Sequence, residues 1–257
     1  MTLLLTEPLT SNIQKGGALL DDCRRIVEAW DNDRTADENL ARIADENVLA
    51  KTSRARTHDV LLRIIRPRLV APGPHVIPAL KGLLTEPRAF TEACYYEAAR
   101  DDPLLAAFAE GPLWSWWEAG RIGVRIDDVT SWLAELAQDG RIQAWSDSVR
   151  TKAARGLLAA LRDFGILRGA TRKEIAPPAM SPRGFAYVAW REHEQGASSR
   201  ALAISSVWSR WLLESDRVTD LFGQVARLGL LRFSSAGSAV RVDWLVGSLA
   251  EVTGAAA

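Results

Sequence analysis

The side chains in this sequence best suited to chemistry are cations, and the chemistry they suit is neutralising phosphate. Between Ser146 and Ala176 the chain reads SDSVRTKAARGLLAALRDFGILRGATRKEIA. Lys152, Arg155 and Arg162 recur there at helical spacing, and Arg168, Arg172 and Lys173 follow closely. Such groups bind nucleic-acid backbones without regard to sequence by displacing counterions. A second set, Arg56, Arg63 and Arg66, lies in VLAKTSRARTHDVLLRIIRPRLV, the most basic stretch of the chain, which holds one acid, Asp59. Asp59 is three residues after Arg56 and four before Arg63, where one carboxylate reaches both guanidinium groups and leaves a solvated, neutral face instead. Both readings of that stretch remain open at this level.

Other chemistries find no support. There is no phosphate loop, GxGxxG, HExxH or GxSxG. His58, His75 and His193 are scattered and none neighbours a cysteine, so neither a metal site nor a cofactor is expected. Cys23 and Cys94 lack CxxC spacing and read as buried, reduced thiols. Paired acids such as Asp127 and Asp128, or Asp101 and Asp102, fall at helix starts, where capping accounts for them. The expectation is a protein that is not an enzyme.

The cations need elements to hold them. A helix beginning near Ser148 puts Ala154, Leu157, Leu161 and Phe164 on one core-facing stripe and Lys152, Arg155 and Arg162 on the other face. Gly156 and Ala159 lie among those cations, small enough to let another molecule approach the helix backbone. Gly165 suits a left-handed C-terminal cap. After it Ile166 and Leu167 read as a strand, Gly169 to Thr171 as a turn, and Lys173 to Ala176 as the returning strand. A recognition helix followed by a basic wing is one reading; a helix and hairpin that only close a bundle is the other.

The pattern recurs sixty-four positions later in Ser215 to Trp244. Leu157, Leu158, Leu161, Gly165, Leu167 and Arg168 correspond to Leu221, Phe222, Val225, Gly229, Leu231 and Arg232. The outer face changes: Lys152, Arg155 and Gly156 become Asp216, Thr219 and Asp220. Carboxylates oppose phosphate, so the second copy reads as structural or protein-facing.

The remaining chain reads as helices. GALLDDCRRIVEAW is amphipathic, Thr35 with Glu38 forms a capping box before a helix with an acidic outer face, and Pro67 is expected to close the basic helix. APGPHVIP marks a break. Pro87 and Pro103 open two helices, the second ending at Gly111. Trp114, Trp116 and Trp117 read as core packing between helices without a neighbouring positive charge. Asp127 or Asp128 caps the next helix, and after PPAMSPRG two further helices precede the second copy. The tail VTGAAA should fray. The expected fold is mainly α, a multi-helix bundle with two winged-helix-like modules carrying short β-hairpins. Its domains are 1–71, with the basic helix, 72–176, ending in the first module, and 177–257, with the second.

Lys plus Arg equals Asp plus Glu at 32 each, so nucleic-acid binding has to come from a local patch. The start, MTLLLTEPLTSNIQK, is too short in its apolar run and too acidic for a signal peptide, and no run approaches a membrane span, so a cytoplasmic protein without membrane contact is expected.

Several stretches together resemble the BrxA family of bacterial BREX phage-exclusion systems. They are GGALLDDCRRIVEAW, NVLAKTSRARTHDVLLRIIRPRL, YYEAARDDPLLAAF, WSDSVRTKAARGLLAALRDFGILRG, and VWSRWLLESDRV leading into the final hairpin. The resemblance implies a non-enzymatic component of a defence island that binds double-stranded DNA. Other BREX proteins are its further candidate partners, and a module that assembles larger defence enzymes without touching DNA is the alternative. Family members labelled as inner-membrane proteins find no counterpart in this sequence.

Overall fold

A computed structural model describes residues 9–10, 13, 17–237 and 239–255; the expected absence of a signal peptide concerns residues that lie mostly outside these. The chain is mainly helical and divides into two compact units. One comprises the described residues within 9–18, 98–178 and 209–212; the other comprises those within 19–97, 179–208 and 213–255.

In the second of these units, α1 (Leu20–Ala29) buries Cys23, Ile26 and Val27, the apolar stripe of its sequence. α2 (Ala36–Asp45) starts at the Thr35–Glu38 capping box. α3 (Arg54–Val60) is capped by Ser53 and buries Thr57 and Val60. Pro67 does not close this helix. The chain continues as a π-helix over Leu61–Val70, where Ala71 donates to the Arg66 carbonyl five residues back at 2.8 Å. The wider turn accommodates a residue that has no N–H and whose ring clashes in a regular α-helix. After a break, α4 (Val76–Gly82) and α5 (Pro87–Asp101) follow.

The same solution appears in the other unit. α6 (Pro103–Phe108), capped by Asp102, passes through a π-helical turn at Ala109–Leu113 that holds Pro112. It runs directly into α7 (Trp114–Glu118), so Gly111 is not its end and the tryptophans lie within a helix. Phe108 anchors this core edge-on to Trp116 at 5.7 Å and tilted against Trp132 at 5.1 Å. Next come β1 (Gly123–Val124), α8 (Ile126–Gln138), α9 (Asp147–Asp163), β2 (Leu167–Arg168) and β3 (Lys173–Ile175). The strands form one antiparallel sheet in the order β1-β3-β2.

Back in the unit that contains α1, α10 (Pro182–Glu194) is capped by Ser181 and almost wholly buried along its middle. The expected helix after it is broken into α11 (Ser199–Ala203) and a 3-10 segment at Ser206–Trp211. α12 (Ser215–Arg227) leads to the hairpin β4 (Leu231–Ala236) and β5 (Ala239–Trp244). Phe185 stacks on Trp208 at 4.2 Å and meets Phe222 edge-on at 4.8 Å, which fixes α12 against α10. The chain does not fray at Val252 and Thr253. Both are buried in α13 (Leu249–Thr253), which Gly254 ends in a left-handed conformation. Cys23 and Cys94 are free and buried.

Candidate functional site

α9 forms where the sequence places it. Ser146 caps it by accepting the Val149 N–H, and Ala154, Leu157 and Leu161 are completely buried. Gly165 follows the helix at φ +81°, and the chain turns at once into β2. The pleat then sorts the wing. Leu167 pairs with Ile175 and Val124 with Lys173, so these four share the inner face; Arg168 pairs with Glu174 on the outer face. There the Arg168 guanidinium lies 3.1 Å from the Glu174 carboxylate.

β1 is the element that sequence reasoning missed. Its two residues pair with the far side of β3, and Ile175 donates to the Ile122 carbonyl at 2.8 Å. Arg121 holds it in place by donating to the Gly123 carbonyl at 2.8 Å, bonding Asp128, and lying over the Trp116 ring at 4.5 Å. The tryptophan cluster therefore does have a neighbouring cation. Neither Asp127 nor Asp128 is the N-cap of α8; that residue is Arg125, whose backbone N–H is accepted by Asp128 at 2.7 Å. Asp128 stays ionised well into acid, its carboxyl held low chiefly by the Arg121 hydrogen bond.

Between β1, the first turn of α8, the middle of α9 and the hairpin lies a groove of about 750 Å³. Arg125, Arg155, Arg172 and Lys173 line it, opposed by Asp127 and Glu174. A second hollow of about 570 Å³ runs on between α8 and the start of α9 and shares Arg155 with the first. Among the described residues Arg155 and Arg172 are exposed and have no carboxylate partner; Arg125 is exposed too, but its charge helps hold the Asp128 carboxyl low. Lys152 is likewise free but lies outside both hollows.

The other cations are engaged. Lys173 Nζ donates to the Gly169 carbonyl at 2.8 Å and also to the Ala170 carbonyl, so it ties the wing turn together. Its ammonium is held below the ordinary lysine value by partial desolvation first, then by repulsion from Arg162, against a smaller opposing effect of Asp163. Arg162 itself pairs with Asp163. Gly156 is half-buried and does not line the groove, whereas Ala159 does.

The Arg56 helix is different in kind. Asp59 bridges Arg56 at 2.8 Å and Arg63 at 3.1 Å, and Arg66 pairs with Asp37 of acidic α2. Each cation expected to contact phosphate there already has a carboxylate.

The second copy preserves the first copy's interior. Leu221, Phe222 and Val225 are completely buried, as are Leu157 and Leu161, and Gly229 takes φ +76° where Gly165 takes +81°. Its outer residues Asp216, Thr219 and Asp220 are exposed, and its sheet has two strands rather than three.

Fold and site together define a mainly helical protein with small antiparallel sheets and a cationic groove beside one of them. The BrxA family profile matches residues 8–192, and the chain belongs to that family, which associates it with BREX phage exclusion. Among solved structures it is similar to an uncharacterized protein from Magnetospirillum magneticum, at 18% identity over 80% of this chain and 98% of that one, with a TM-score of 0.61. That likeness is one of fold. No curated protein matches. Among the described residues no helix is long and apolar enough to cross a membrane, and no cluster of three potential metal ligands occurs.

Proposed function

We propose that this chain is a non-enzymatic accessory protein of a BREX system that binds double-stranded DNA in the cytoplasm, with weak dependence on sequence. The observation that carries this reading is the groove around Arg155, where Arg155 and Arg172 stand exposed without acidic partners and Arg125 stands exposed beside them. In a chain of zero net charge, such a local patch is what duplex binding requires. The order helix, strand, helix, helix, strand, strand, with the last strand between the other two, supports reading α7 to β3 as a winged-helix module. In that reading α9 is the recognition helix, and β2–β3 is the wing that brings Arg172 to the backbone. The test is an electrophoretic mobility shift at several salt concentrations, comparing the natural chain with Arg155→Glu and Arg172→Glu. Weaker, less salt-dependent binding by the variants supports the reading, and equal binding rejects it.

A second reading has its own support. The exposed Asp216 and Asp220, the latter 3.9 Å from Arg217, put carboxylates on the outer face of the second copy, which suits docking on a basic protein partner rather than on phosphate. In that reading the chain assembles larger BREX enzymes. Capture of BREX proteins that is lost on Asp216→Lys and Asp220→Lys, with no duplex binding at any salt, would favour it over the first.

A further inference from the structure

The groove around Arg155 is larger and less polar than a phosphate requires. At about 750 Å³ it falls in the range in which small molecules are held. Its floor is apolar: Val124 and Leu158 are buried beneath it, and Ala159 on the exposed flank of α9 adds only a methyl group. The charges stand around that floor. Arg155 and Arg172 are free, Arg125 is exposed beside Asp128, Lys173 is tied to the turn, Glu174 is held by Arg168, and Asp127 is the exposed carboxylate that opposes an anion. A matching ligand has a compact, weakly polar body and a negative charge at one end.

We propose that this groove seats one nucleoside monophosphate unit, with its phosphate on Arg155 and Arg172 and its base over Val124, Leu158 and Ala159. The proposal rests on reading the groove as a phosphate-binding face and adds that a base enters it. The unit has two sources with the same chemistry, a free nucleotide or a single nucleotide unstacked from a duplex. No aromatic ring lines the groove, so shape and apolar contact carry the recognition and the four bases should differ little.

The full chain is titrated calorimetrically with dAMP, deoxyadenosine and inorganic phosphate. In parallel it is titrated with two duplexes of equal length, one fully paired and one with a single bulged nucleotide. The expected result is dAMP binding at least about tenfold tighter than either fragment, because phosphate and base are held together. Arg155→Gln should weaken dAMP binding about tenfold, Asp127→Asn should strengthen it, and Ala159→Phe should erase its advantage over phosphate. Preference for the bulged duplex with the same variant pattern assigns the site to unstacked DNA; preference for dAMP alone assigns it to a free nucleotide. If dAMP binds no tighter than phosphate and the bulge brings no gain, the inference is overturned. In that event Arg155-dependent binding of the paired duplex would leave the phosphate-face reading standing, and no binding at all would overturn both.

Discussion

Gly169 and Arg172 close the β2–β3 turn so tightly that a β-carbon on the glycine would lie 2.1 Å from the Arg172 carbonyl oxygen. Gly169 also has φ +89°, in the left-handed region. Gly169→Ala therefore meets both a backbone conformation it disfavours and a collision that only movement of the turn relieves. We expect a loss of about 1 to 3 kcal/mol in urea unfolding, together with weaker duplex binding, because Arg172 belongs to the displaced turn. Gly165→Ala is the control. It has the same kind of φ but open space around its β position, so about 1 kcal/mol should be lost and binding retained.

The two copies should separate by charge. Lys152→Glu with Arg155→Glu should weaken duplex binding at least about tenfold, whereas Asp216→Ala with Asp220→Ala should not weaken it. Arg63→Ala and Arg66→Ala should cost less affinity than Arg155→Ala, since Asp59 and Asp37 already hold those guanidinium groups. Equal losses from all three sets in folded proteins, measured by mobility shift, would reject this division.

Much of this was legible because interior and turn chemistry are local. The buried stripe of α9, the left-handed Gly165 and the Thr35 capping box follow from residue types at fixed offsets, and the repeat emerged because Val225 and Gly229 answer to the same constraints as Leu161 and Gly165. Two kinds of feature escaped. β1 is two residues long, and its partner lies about fifty residues away in sequence, so nothing local in RIGVRI marks a strand or places Arg125 at the groove. Pro67 and Gly111, the residue before Pro112, read as helix ends, because a π-turn that absorbs a proline depends on packing rather than on the proline's neighbours. Charge pairing was legible within one helix, as for Asp59; between helices the acidic outer face of α2 pointed to it, but not to the particular pair, Asp37 with Arg66.

The buried pair Arg191–Glu97, at 2.9 Å, also receives the Tyr187 hydroxyl on the same carboxylate oxygen at 2.8 Å. Arg191→Met would leave the Glu97 carboxyl buried without its guanidinium partner. A loss of about 3 to 5 kcal/mol in chemical denaturation is expected. Material that remains folded should bind duplex as the natural chain does, because the pair is remote in role from the groove.

Glu92 gives stability a pH signature. Burial raises its carboxyl above the ordinary glutamate value of 4.5, despite hydrogen bonds from Ser181 and Arg88. Between 4.5 and the raised value the native state binds more protons than the unfolded one, so this group's contribution to stability is greatest at low pH and declines as pH rises through that window. Glu92→Gln lacks the titration. The stability difference between natural chain and variant, followed by urea unfolding from mildly acidic to neutral pH, should shift against the natural chain as pH rises.

Cations of the Arg155 groove that contact duplex phosphates must release counterions on binding, which makes affinity fall with salt. With about four phosphates neutralised, by Arg125, Arg155, Arg172 and the nearby Lys152, the slope of log affinity against log salt should be roughly −4. Arg155→Gln with Arg172→Gln should make it shallower by about two while the protein stays folded. An affinity independent of salt, or an unchanged slope in the double variant, would contradict phosphate contact at the groove.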